Sequence, residues 1–152
     1  MDEKITLNIV GDGPESNKLK KLTKQLKLTK RIHFLGYLPF GKKLFQQYKE
    51  ANLLIMPSLQ DIQGKVYLEA MAFGLPSLVS NVGGVFNIIK NGENGFLLKA
   101  GSSQSIIDQF NKINNEIIYQ KISKNCYETI NKFTVENQIN YMMKYIKELV
   151  EK

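Results

Sequence analysis

In the stretch DIQGKVYLEAMAFGLP, residues 61–76, two acids, Asp61 and Glu69, stand eight positions apart with Gly64 and Lys65 between them. The apolar spacing that follows predicts a helix over 65–73 with Gly74 as its C-terminal stop. The first amides of such a helix have no partner inside it, and the helix dipole adds positive potential there. The backbone N–H groups of Gly64, Lys65 and Val66 therefore form an anion cradle, to which the Lys65 ammonium adds a full charge. Glu69, one turn farther in, can accept hydrogen bonds from vicinal hydroxyls such as those of a ribose. Asp61 faces the same crevice from the end of the preceding strand. Two acceptors flanking a phosphate cradle suit a sugar nucleotide, with a diphosphate in the middle and polyols on both sides. A plainer reading makes Asp61 a loop acid, and Glu69 and Lys65 solvated helix residues. The residue types alone leave both open.

The elements that must position these groups alternate along the chain. ITLNIV (5–10) is a β-rich run ended by the turn GDGP, in which Gly13 and Pro14 suit a helix start. Leu19, Leu22 and Leu26 follow at helical spacing. RIHFLG (31–36) reads as a second strand, 41–50 as a short helix and ANLLIMPS (51–58) as a buried strand. After the helix at 65–73 come the strand PSLVS (76–80), a short helix over 84–90, the turn NGENG (91–95) and the strand FLLK. Helices are expected over 102–113, 116–131 and 134–151. Strands apolar on both faces, separated by helices, indicate an α/β fold: a doubly wound parallel sheet with C-terminal helices, taken as one domain over residues 1–152. Ligands of such sheets bind beyond the carboxyl ends of the strands, here the loops after Val10, Leu35, Pro57 and Val79.

Composition narrows the chemistry. A hydrophobic content of 43% with 23% charged residues is that of a folded domain, and no apolar run reaches membrane-span length. The net charge of +7 is carried almost wholly by lysine, with Arg31 the single arginine, which disfavours a nucleic-acid partner. Lysines 18, 20, 21, 24, 27 and 30 cluster around one helix; they are a solvated face, or a loose attraction to an anionic membrane surface. The single Cys126 excludes an internal disulfide, fits a reducing cytoplasm and reads as a small buried hydrophobe. The acidic start MDEKITLNIV lacks the basic region of an export signal.

Competing sites fare poorly. GDGPES resembles a dinucleotide fingerprint, but Ser16 replaces its third glycine and the following strand ends without an acid for a ribose. His33, inside an apolar strand, is expected in the core. With no second histidine, and no ligand spacing among Asp2, Asp12, Asp61 and Asp108, no metal site is expected.

VGDGPE, IHFLGYLP, ANLLIMPS, DIQGKVYLEAMAFGLP, NVGGV and NGENGFLL occur in the order found in family-4 glycosyltransferases. Over nearly all its length the chain resembles the C-terminal, donor-binding domain of such a GT-B enzyme, a Rossmann-like half. The resemblance implies a retaining, metal-independent hexosyl transfer from a nucleotide sugar, without cofactor, in polysaccharide or glycolipid synthesis in the cytoplasm or at the inner membrane. It casts Asp61 and Glu69 as the acid pair of the catalytic site, with Glu69 on the donor ribose. Asp61 and the amides of Gly64, Lys65 and Val66 would hold the sugar and diphosphate. Gly11, Gly13 and the loop around Tyr37 would complete the donor site, the last meeting the base. Three departures accompany it. Asp61 is one methylene shorter than the usual Glu, and Asn87 stands where the family usually has Glu after the double glycine. In the family a βα unit bearing a diphosphate-gripping Arg and Lys precedes LNIVGDGP, as does an acceptor-binding N-terminal domain. A fragment of a longer enzyme, or a split or decayed gene product, is therefore expected, inactive by itself. The alternative is a non-catalytic nucleotide-sugar-binding module or partner subunit. The last helix carries Val135, Ile139, Met142, Ile146 and Leu149 as one apolar stripe, and with a central strand missing, self-association is expected.

Overall fold

A computed structural model describes residues 5–60 and 64–150. Asp61, the first acid of the motif, lies outside the described residues. The order is β1 (Leu7–Val10), α1 (Ser16–Gln25), β2 (Ile32–Gly36), α2 (Lys42–Glu50), β3 (Leu54–Met56), α3 (Lys65–Ala72), β4 (Ser77–Ser80), β5 (Phe96–Leu98), α4 (Ser103–Ile113), α5 (Glu116–Ile130) and α6 (Val135–Val150). Two short 3-10 turns, Val85–Asn87 and Asn131–Phe133, complete it. All strand pairs are parallel, as the α/β reading expects. They form a two-stranded sheet β1-β2 and a three-stranded sheet β3-β4-β5. Where one domain was expected, the chain divides into two compact units, Met1–Gln47 and Tyr48–Lys152.

In the first unit, β1 pairs with β2 in the register Leu7 to Ile32 and Ile9 to Phe34. The amide of Gly11 donates to the Gly36 carbonyl at 2.7 Å, so the turns leaving the two strands are tied together. Both glycines have positive φ, 116° and 68°, a conformation that a side chain disfavours. Two sequence readings are corrected here. The helix begins at Ser16 and not at Pro14, because residues 14 and 15 form a turn closed by the Ser16 amide donating to the Gly13 carbonyl at 3.0 Å. His33 is exposed, not core, because alternation along β2 puts it on the face opposite Ile32 and Phe34. β1 is also largely exposed, although three of its four residues, Leu7, Ile9 and Val10, are apolar. Among the lysines of α1, Lys18 pairs with Glu15 at 3.0 Å and Lys20 lies 5.7 Å from the Phe34 ring centre.

The core belongs to the second unit. β4 is buried throughout, and Leu78 and Val79 pack with Met71 of α3, Leu98 of β5, Ile113 of α4, and Ile122 and Cys126 of α5. α3 ends in a Schellman motif: Leu75 donates to Ala70 and Gly74 to Met71, with Gly74 at φ 65°. Ser102 and Asn115 cap α4 and α5 through their side chains. The helix read over 84–90 is only the 3-10 turn Val85–Asn87, since Gly83 and Gly84 before it favour a turn. Asn94, buried in the NGENG turn, accepts from the Lys90 amide and donates to the Ile88 carbonyl and to Thr129. Cys126 is fully buried, as expected, and burial pushes its thiol up to about 12. No helix among the described residues is long and apolar enough to cross a membrane.

Candidate functional site

α3 follows β3 in the chain after the segment 57–64, and parallel sheets place their ligands at the loops that leave the carboxyl ends of their strands. Gly64 occupies its N-cap position with φ −71° and ψ 80°, and as a glycine it has no side chain of its own to cap the helix. A glycine at the N-cap puts no Cβ of its own over the first-turn amides. Lys65 is exposed in that first turn, and Val66 beside it is exposed as well. Gly64, Lys65 and Val66, the residues that the sequence names for an anion cradle, thus stand at the N-terminus of α3, with the Lys65 cation in its first turn.

Glu69 lies one turn farther along α3 and is half-buried. It is not a fully solvated helix acid. Its Oε2 accepts a 2.9 Å hydrogen bond from the Tyr48 hydroxyl. The Tyr48 ring is buried and stacks on Phe73, with ring centres 5.6 Å apart and planes 18° from parallel. Burial first, and then the hydrogen bond to Glu69 and its charge, push the Tyr48 phenol far above its ordinary value, so it stays a neutral donor. Sequence reasoning missed Tyr48. The only signal was an aromatic at the end of a lysine-rich amphipathic helix, 21 residues from its partner.

Near the carboxyl ends of β4 and β5 an open hollow is lined by Asn81, Leu97, Leu98, Lys99 and Ala100. Glu69 and Gly64 do not line it. Asn87, in the 3-10 turn after the double glycine, is exposed. Gly11, Gly13 and Tyr37 belong to the first unit, where Gly11 and Gly36 join the two turns and Tyr37 follows Gly36 with 75% of its surface exposed.

The model of the glycosyl transferases group 1 family matches residues 1–129. The chain belongs to that family. N-acetyl-alpha-D-glucosaminyl L-malate synthase of Bacillus anthracis is 30% identical over 131 residues, a match covering 86% of this chain and 33% of that protein. The chain therefore spans about a third of that relative's length. Among solved structures, Anabaena HepE in complex with UDP superposes with a TM-score of 0.79 at 25% identity, over 95% of this chain and 42% of that one. The C-terminal domain of the group 1 glycosyl transferase LpcC from Francisella tularensis superposes with a TM-score of 0.77 at 26% identity, over 86% of this chain and 70% of that domain. The fold is thus that of the C-terminal portion of a GT-B glycosyltransferase.

Proposed function

We propose that this chain binds the nucleotide-sugar donor of a retaining, metal-independent hexosyltransferase, and that the α3 N-terminus with Glu69 is its donor site. The observation that carries the reading is a half-buried carboxylate with one oxygen held by a neutral phenol, one turn inside a helix whose N-cap is a glycine. The amides of Gly64, Lys65 and Val66 receive the diphosphate, and the Lys65 ammonium adds charge to them. Glu69 accepts from the ribose hydroxyls. When the glycosidic bond breaks, negative charge builds on the leaving diphosphate. A helix N-terminus aimed at that charge supplies the stabilisation otherwise given by a metal ion. The likeness to a HepE structure holding UDP supports a uridine nucleotide as the first probe.

The test is calorimetric titration of UDP into the full chain and its Glu69→Gln variant. Loss of the charged acceptor is expected to weaken binding by about 1.5–3 kcal/mol. Equal affinity in the two proteins would remove Glu69 from the donor site. Retention and metal independence are read on the enzyme that contains this segment: transfer is expected to persist in excess chelator and to give a product of unchanged anomeric configuration by NMR.

A further inference from the structure

We propose that Tyr48 is the positioning residue for Glu69, and that the Tyr48–Glu69 pair makes the site select a ribonucleotide over a dideoxyribonucleotide. The inference rests on the donor-site reading above and adds to it the group that fixes the acceptor.

Glu69 and Phe73 are four residues apart and therefore share one face of the α3 end. Tyr48, from the last turns of α2, packs against that face with its ring on Phe73 and its hydroxyl on Glu69 Oε2. A glutamate side chain has three rotatable bonds, and holding its carboxylate in one orientation costs conformational entropy. The buried phenol, itself immobilised by the stack, meets that cost before any ligand arrives. An ionised carboxylate offers about four lone-pair sites and the phenol occupies one, which leaves Oε1 for a pair of vicinal hydroxyls. The 2′- and 3′-hydroxyls of a ribose are such a pair. A structural hydrogen bond that merely satisfied a buried tyrosine would affect all ligands alike, whereas a positioning bond affects only ligands that use Glu69.

That difference defines the experiment. UDP and 2′,3′-dideoxyuridine diphosphate are titrated calorimetrically into the full chain and into the Tyr48→Phe, Glu69→Gln and doubly substituted variants. Phenylalanine keeps the stack on Phe73 and removes only the hydroxyl. The unaltered chain is expected to prefer UDP. Tyr48→Phe should weaken UDP about 3- to 10-fold, the range of one hydrogen bond, and leave the dideoxy ligand unchanged. In the Glu69→Gln background it should cost nothing further. Equal losses for both ligands, or no loss for either, would overturn the positioning role while leaving the donor site standing. A preference for UDP that survives Glu69→Gln, or no UDP binding by the unaltered chain, would overturn the donor-site reading and the Tyr48 role with it. Should Tyr48→Phe fail to fold, Tyr48→Met, also without a hydroxyl, is read by the same criteria.

Discussion

Lys65 and Cys126 show how position decides what one side chain can do. Lys65 is exposed in the first turn of α3, where the dipole already favours anions, so its charge should act on a diphosphate and hardly at all on a base or ribose. Lys65→Ala is expected to weaken UDP binding several-fold, about 0.5–1 kcal/mol for an exposed charge at a helix terminus, and to leave uridine binding unchanged. Calorimetry with both ligands checks this, and equal losses would make Lys65 an ordinary surface lysine. Cys126 is the opposite case. It is fully buried, with its thiol directed to the Asn94 carbonyl at 3.3 Å and its pKa pushed to about 12. Since the neutral thiol is favoured in the fold, its contribution to stability is complete below the unfolded value near 9 and is lost as pH rises from there towards 12. At pH 8, iodoacetamide labelling of Cys126 should follow global unfolding, rising in urea together with the loss of helical circular dichroism. Labelling at the rate of a free thiol in the folded protein would refute the burial.

The elements of the second unit are held by a few points that tolerate little change. At Gly74 a Cβ would come within 2.3 Å of the Tyr127 ring, and φ there is positive; Ser123 also donates to its carbonyl at 2.7 Å. Gly74→Ala should therefore cost about 1–3 kcal/mol, seen as a lower urea midpoint with an unchanged m-value. Asn94→Ala removes three hydrogen bonds from a buried turn that joins the 3-10 segment to β5 and α5, with an expected loss of about 2–3 kcal/mol by the same measurement. Much of this architecture was legible in the chain. Gly74 as a helix stop, and strands at LLIM and SLVS, follow from local rules: apolar spacing and the φ freedom of glycine. α4 to α6 were read to within a residue or two for the same reason. What needs knowledge of neighbours was not legible. An apolar strand such as β1 reads as buried whether or not anything covers it, and His33 was misread on that account. Gly64 at the start of a helix and Glu69 one turn inside it could be named from spacing. Tyr48 could not, since no local pattern links a tyrosine in α2 to a glutamate in α3.

At the scale of the molecule the two units differ in how much apolar surface they bury. In Tyr48–Lys152 a continuous core runs through β4, β5, α3, α4 and α5. Among the described residues of Met1–Gln47 only Thr23 is buried, while Ile5, Leu7, Val10, Leu19, Leu22 and Leu26 are exposed. A two-stranded sheet with such faces has little hydrophobic stabilisation of its own, because each large apolar side chain left in water forgoes about 1.5–3 kcal/mol. Among the described residues β1 pairs with β2 alone, and an edge strand offers backbone groups to an extended segment. α6 adds Val135, Ile139, Met142 and Ile146, all exposed, as one stripe; the side chain of Leu149, which would extend it, lies outside the described residues. Two results follow for the isolated chain. Amide hydrogen exchange should be fast at Leu7–Val10 and Ile32–Gly36, near the rate of local opening, and slow at Leu78–Ser80, near the rate of global unfolding. Light scattering should show self-association that grows with protein concentration and falls when Ile139 and Met142 are both changed to glutamate. A concentration-independent monomer with equally protected strands in both units would show that the first unit is stable without further cover.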